Sequence, residues 1–293
     1  ERAEAFSHKY GGNAYKSLDE LLQAEEIDVL HICTPHYLHL PMAVTAANQG
    51  IHVFTEKPPV ISFEQWKQFR ELHEKVRVGI CFQNRFNQSV KYCRELLESG
   101  KPGEILGARA FVTWRREAPY YTESGWRGSL ETEGGGALIN QSRHTLDLMG
   151  QFLGQGKVLG ASLANRHLEG VIEVEDTLEA TIDFSGRRGL FYATTAYCTD
   201  APIILELVCK NMTLRIEGEE VIVRHKDGSV ERSDYQNYTG VKGKDYWGSS
   251  HMMCIEGFYD CVLCGREFEN DIPGVENTMK LMLSIYAYAR GEK

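Results

Sequence analysis

The 293-residue sequence has no hydrophobic run long enough to cross a bilayer, which excludes a helical membrane span. It has no basic block either. Its 41 acidic residues outnumber 32 basic ones, for a net charge of −9, so nucleic acid and other polyanions are disfavoured partners. Internal repeats and low-complexity linkers are absent, and no signal peptide is expected. The eight cysteines are scattered, with Cys33, Cys81 and Cys209 inside apolar runs. That pattern reads as reduced thiols in a cytoplasm rather than as a disulfide framework. Cys261 and Cys264 have C-x-x-C spacing, with Cys254 shortly before them, but the segment reads as helix throughout and no second ligand pair follows, so no metal is expected. An initiating methionine is also missing: "ERAEAFSHKYGG" begins inside a helical pattern.

What is present is ordinary globular composition, 42% hydrophobic and 25% charged, in a chain long enough for two domains. Ser17 and Glu20 have capping-box spacing and open a helix to about Glu25. "IDVLHICT" (27–34) is a near-continuous apolar run, as a buried parallel strand should be. Helical spacing follows from Tyr37 to Gln49, then a second strand at 51–56, which completes a βαβ unit. Ser62 and Gln65 repeat the capping-box spacing ahead of a stripe of Phe63, Trp66, Phe69 and His73, and "VRVGICF" (76–82) is a third strand. A doubly wound parallel sheet is expected over 1–84.

The pattern changes beyond Gln83–Phe86. A helix ends at Gly100, and strands then dominate: 105–114, 157–166, 173–184, 188–198, 203–209, 212–217 and 220–225. Turn signals such as "SGRRG" and Asp227-Gly228 separate them. One helix interrupts at about 136–153, and two close the chain at 249–264 and 275–290. Residues 85–293 therefore read as an α+β domain with a large, mostly antiparallel, open sheet.

Three segments can carry chemistry. In an open α/β sheet, ligands bind beyond the carboxyl ends of the strands. Thr34-Pro35-His36 and Glu56-Lys57-Pro58 occupy two such ends in one βαβ unit, so the prolines aim Lys57 into a shared crevice; the alternative is a lysine merely exposed at a strand end. In "EGGGALINQSRHTLDLMGQF" (133–152) three glycines open a helix whose free N–H groups could meet a ligand. At α-helical spacing Asn140, His144 and Asp147 share one face there, either a site or a solvated stripe. In "TWRREAPYYTESGWRGS" (113–129), Trp114, Tyr120, Tyr121 and Trp126 could stack on sugar rings. Arg115, Arg116 and Arg127 could hold hydroxyls or a carboxylate, against the plainer reading of loop packing.

The ordered set "CTPHYLH", "GIHVFTEKP", "CFQNRFN" and "WRG…EGGGALINQSRHTLDL" resembles the Gfo/Idh/MocA oxidoreductases, nicotinamide-dependent dehydrogenases of sugars and cyclitols, across essentially the whole chain. The resemblance implies a Rossmann domain followed by an open-sheet α/β domain, NAD or NADP as cofactor, and hydride transfer at a secondary hydroxyl. It implies Lys57 between nicotinamide and substrate, His144 as proton-transfer group or its partner, and Thr34, Pro35, His39, Glu56, Pro58 and Gln83 on the cofactor side. Arg85, Trp126, Arg127 and Asn140 fall to the substrate side, with Lys57, His144 and Asn140 as the catalytic set. Two departures stand out. The family's helix motif usually has aspartate where this chain has Asn140. The strand, glycine-rich turn and helix that cradle the pyrophosphate are not in the sequence, so roughly one βαβ unit of about thirty to forty residues is expected ahead of Glu1. Relatives that use NAD transiently to cleave glycosidic bonds, and a sensing regulator without turnover, are the alternative functions. Alternating apolar residues in "LFYATTAY" and "IILELVC" suggest a sheet face that pairs with another copy, as a homodimer or homotetramer.

Overall fold

The computed structural model describes residues 1–235 and 250–292. Two helices come first, α1 (Arg2–Tyr10) and α2 (Leu18–Ala24), and neither buries a residue. The Ser17 side chain accepts from the Glu20 N–H, so the first capping box forms. Then β1 (Val29–Ile32), α3 (His39–Asn48) and β2 (His52–Thr55) make the βαβ unit, and α4 (Phe63–Arg70), capped by Ser62, leads to β3 (Val78–Ile80). The three strands pair in parallel in the order β1-β2-β3. The helical stripe holds in part: Trp66 and Phe69 are buried, whereas Phe63 is exposed.

A turn at Gln83–Phe86 leaves this sheet for α5 (Gln88–Glu98) and β4 (Ile105–Thr113). The short α6 (Ala118–Thr122) and a π-helical turn, Ala137–Ser142, precede α7 (Arg143–Leu153). The remaining strands are β5 (Lys157–Ala164), β6 (Thr177–Phe184), β7 (Arg187–Thr194), β8 (Ile204–Cys209), β9 (Met212–Glu217), β10 (Glu220–His225) and β11 (Val230–Asp234). Helices α8 (His251–Cys264) and α9 (Ile272–Arg290) follow; the expected first residue of α8, 249, lies outside the described residues. The second sheet has eight strands in the order β11-β10-β9-β8-β4-β7-β6-β5 and is antiparallel except at β4–β7. Strand β11 was not expected: "VERSD" is a polar edge strand and carries no alternation to read.

Alternation along each strand sorts the second sheet into two faces. Ala108, Ala110, Val112, Phe191 and Ala193 are buried, and α7 lies against β4 while α9 lies against β5. Leu190 and Val208 point the other way and are exposed.

One buried ion pair joins the two halves. Arg85, in the turn that leaves the first sheet, donates from Nε and Nη2 to Asp147 of α7 at 2.8 and 2.5 Å. It also donates to the carbonyls of Glu269 and Gly274, and Thr278 donates to Asp147. Both side chains are about 1% exposed. The sequence reading placed Arg85 on the substrate and Asp147 on the polar stripe. Both are corrected: the guanidinium spends its donors inside the protein, and the carboxylate points into the core. Removing one partner of a buried pair leaves the other charge uncompensated, at a cost of about 3–5 kcal/mol. Asp147→Ala is expected to lower unfolding stability by about that much in a urea titration. Arg85→Met combined with Asp147→Leu is expected to recover part of the loss.

Candidate active site

A cleft opens where the carboxyl ends of the first sheet meet α7 and the loop after β4. It is lined by Lys57, Gln83, Asn84, Trp114, Arg116, Tyr120, Asn140, Gln141, His144 and Ile203. Lys57, from the end of β2, and His144, from α7, therefore wall one cavity. Gln83 and Asn140 join them from the expected set.

The first half of the site is held by backbone. The Glu56 N–H donates to the Ile32 carbonyl, which ties the end of β2 to β1. The Lys57–Pro58 peptide is cis. His39 is fully buried, with Nδ1 2.6 Å from the Pro58 carbonyl and Nε2 2.8 Å from the Thr34 carbonyl. It clamps the two strand ends together and offers nothing to a cofactor, so its expected cofactor contact is corrected to a positioning role. Pro58 is likewise buried, while Thr34, Pro35 and Glu56 stay partly exposed at the strand ends.

The second half is set by three glycines. A Cβ on Gly134, which has φ +85°, would lie 2.4 Å from the Ile61 side chain. On Gly135 it would meet the Tyr286 hydroxyl at 2.1 Å, and on Gly136 the Glu175 carbonyl oxygen at 1.9 Å. The glycines are thus required for packing. Nor are the following N–H groups free for a ligand, as the sequence suggested. The Glu175 carboxylate accepts from the N–H groups of Gly136 and Leu138 at 3.0 Å, and Tyr286 accepts from that of Ile139. The protein's own buried carboxylate fills the anion position at this helix start.

Gln141, in the π-helical turn, lines the cavity with Asn140 and His144, and Asp147 does not. Trp114, Arg116 and Tyr120 supply the opposite wall. Trp126 and Arg127 do not line it: Trp126 packs on His36 with ring centres 4.7 Å apart, and Arg127 stacks over Tyr120 at 4.5 Å. Arg127 thus buttresses Tyr120 of that wall from behind.

Burial sets the electrostatics. Lys57 keeps part of its surface on the cavity, yet loss of hydration pulls its pKa to about 7, helped by the nearby Arg143 cation. Arg143 is itself fully buried; desolvation brings it to about 9, and among the described residues its Nε and Nη1 have no partner. His144 is held well below the ordinary histidine value, first by burial and then by Lys57 and Arg143, so its ring is neutral at pH 7. Neither of its nitrogens has a partner among the described residues, and the same holds for Asn84 Oδ1 and Gln141 Oε1. Below the cleft, ligand atoms of Glu56, Cys81 and His251 lie within 4.8 Å of one another, whereas Cys261 and Cys264 enter no such cluster among the described residues. All eight cysteines are unpaired.

Comparison with known proteins agrees with this architecture. Residues 1–83 match the family model described as oxidoreductase family, NAD-binding Rossmann fold, and residues 90–220 match that of the GFO/IDH/MocA C-terminal domain. The chain belongs to the Gfo/Idh/MocA oxidoreductase family. It is 27% identical to an oxidoreductase of Streptococcus pneumoniae over 85% of this chain and 72% of that protein. To the D-glucoside 3-dehydrogenase of Escherichia coli it is 27% identical, over 67% of this chain and 60% of the relative's length. Among solved structures, the WlbA dehydrogenase of Bordetella pertussis, with NADH and UDP-GlcNAcA, superimposes with a TM-score of 0.82 at 26% identity, covering 98% of this chain and 85% of that one. A levoglucosan dehydrogenase complex with NADH and levoglucosan gives 0.85 at 21% identity, covering 99% and 86%, and shows the fold.

Because the Glu175 backbone cannot retreat from a methyl group at Gly136, Gly136→Ala is expected to cost about 3 kcal/mol in thermal or denaturant unfolding. Gly154→Ala is the control for backbone strain alone: a Cβ there would meet nothing within 4 Å, but φ is +87°.

Proposed function

We propose that the cleft oxidises a secondary hydroxyl of a sugar or related polyol, with the hydride passing to a nicotinamide dinucleotide. One observation carries this reading. Four buried polar atoms without partners among the described residues (Asn84 Oδ1, Gln141 Oε1 and both His144 ring nitrogens) belong to residues of the same cavity as Lys57. Buried polar groups are normally satisfied, so a concave set of orphans fits a ligand rich in hydroxyls. Trp114 and Tyr120 add faces on which a sugar ring can stack.

The residues present fit the nicotinamide end of the cofactor. Thr34, Pro35 and Glu56 are partly exposed at the strand ends beside Lys57, where ligands of such sheets bind. When bound, the dinucleotide supplies the hydride acceptor. Oxidation also requires the hydroxyl proton to leave. Lys57 takes it as a neutral amine, which a pKa of about 7 makes available at working pH. His144, neutral, donates to or accepts from the reacting oxygen, and Asn140 orients a neighbouring hydroxyl. The kinship to a glucoside dehydrogenase and a levoglucosan dehydrogenase supports a carbohydrate substrate.

The test is NADH formation by the full-length protein against methyl glucosides, levoglucosan, cyclitols and uronic acids. Sugar release from a glycoside without added NAD, and no net NADH, would favour the transient-redox alternative. Lys57→Ala is expected to lower kcat by about 10²–10⁴, the usual contribution of a general base, while cofactor binding persists. For oxidation kcat/KM should rise through about pH 7, as Lys57 loses its proton, and level off above it. In the reduction direction the trend should reverse. Retention of most turnover by Lys57→Ala would overturn the assignment.

We also infer self-association through the outer face of the eight-stranded sheet. Leu190, 51% exposed, and Tyr192 and Phe111 line a groove there. Leu190→Arg is expected to reduce the assembled mass measured by light scattering, and an unchanged mass would count against this face.

A further inference from the structure

Asn140 is held by the carboxylate that opens the glycine-rich motif. Glu133, immediately before the three glycines, is fully buried. Its Oε2 accepts from the Gly128 N–H at 2.6 Å, and its Oε1 accepts from Asn140 Nδ2 at 2.5 Å. The Asn140 nitrogen also lies 3.5 Å from the Tyr120 hydroxyl. An ionised carboxylate has no proton to offer, so only the amide nitrogen can face it. With the nitrogen engaged there, the amide oxygen is what Asn140 has left for the cavity it lines.

We propose that Glu133 is a positioning residue: it fixes the polarity of the Asn140 amide so that the substrate meets a hydrogen-bond acceptor, in place of the aspartate usual at that position. This rests on the reading of the cleft as a sugar-oxidising site. The geometry also explains why position 140 is an amide. A carboxylate there would face Glu133 at hydrogen-bond distance, and two such groups cannot both ionise.

The arrangement is sensitive to protonation. With Oε2 committed to the Gly128 N–H, a proton on Glu133 would sit on Oε1. Asn140 would then have to turn its oxygen toward Glu133 and its NH₂ toward the cavity. Burial, with the nearby Glu175 charge, raises Glu133 to about 7, against the Gly128 and Asn140 hydrogen bonds and Arg127. Other titratable or charged groups around it are Arg143, Tyr120, Tyr121 and His36, whose Nδ1 lies 2.9 Å from the Glu133 carbonyl.

Two measurements test this. The first needs no substrate: the Glu133 side-chain carboxyl is titrated by ¹³C NMR in the wild type and in Asn140→Ala. A raised pKa that climbs further in Asn140→Ala is expected; an ordinary glutamate titration, or none of that climb, would overturn the coupling. The second uses NAD⁺ with levoglucosan and with methyl α-D-glucoside. Glu133→Gln places an NH₂ opposite Asn140 and should lower kcat/KM about tenfold, the worth of one hydrogen bond. Glu133→Gln with Asn140→Asp moves the carboxylate to position 140 and should recover most of that loss. A single variant within about twofold of wild type, or a double variant no better than the single, would refute the positioning role. If the wild type oxidises neither sugar, the functional reading is in question while the titration still decides the coupling. The titration also decides it if Glu133→Gln does not fold.

Discussion

The site exists because a buried cation in one half of the chain is neutralised by a buried anion in the other. Arg85 leaves the parallel sheet at the turn after β3, and Asp147 sits one helical turn below His144 on α7. Their contact ties α7, which carries His144, to the turn that leaves the sheet carrying Lys57. The further bonds from Arg85 to the carbonyls of Glu269 and Gly274 bring the approach to α9 into the same node. Such pairs are poor sources of net stability, since desolvation offsets much of the attraction. What this one contributes is register: a slip of either half would strand a charge in a dry interior.

Much of this was legible in the residues. The capping serines at 17 and 62 begin helices for a local reason, a side-chain oxygen meeting an N–H three residues on, and both form as read. The apolar runs mark β2 and β3 because a strand covered on both faces has no polar side, whereas β1 leaves His31 exposed. Lys57 and His144 could be singled out because a strand end and a helix start are where such folds bind ligands. Less legible was anything needing a partner distant in sequence. Arg85 looked like a ligand-binding cation because its anion lies 62 residues away. His39 looked like a cofactor contact because the two carbonyls it spans are not adjacent in the chain.

The glycine triplet shows how one sequence signal can have two physical causes. Glycines before a helix suggest a backbone cradle for an anion, and the cradle is present, but Glu175 occupies it. A carboxylate at the helix start meets the same N–H groups and the same dipole that a phosphate would. The N–H groups of the helix start are therefore spent inside the protein, and side chains from its first turns (Asn140, Gln141 and His144) line the cavity instead.

Burial divides the labour between the two groups that meet in the cleft. Loss of hydration disfavours the charged form of both lysine and histidine, so it pushes both pKa values down. A lysine starts more than three units above neutrality, and the shift delivers it to about 7, where an amine can accept a proton during turnover. A histidine starts near neutrality, and the same shift carries it out of range, leaving a neutral ring that is a weak base. The Arg143 cation acts in the same direction on each, and Lys57 lowers His144 further. In the proposed oxidation, a site that buries both residues together therefore leaves the proton to Lys57 and hydrogen bonding to His144. The alternative assignment would require His144 to be wetter than Lys57, and its ring nitrogens, buried without partners among the described residues, argue against that.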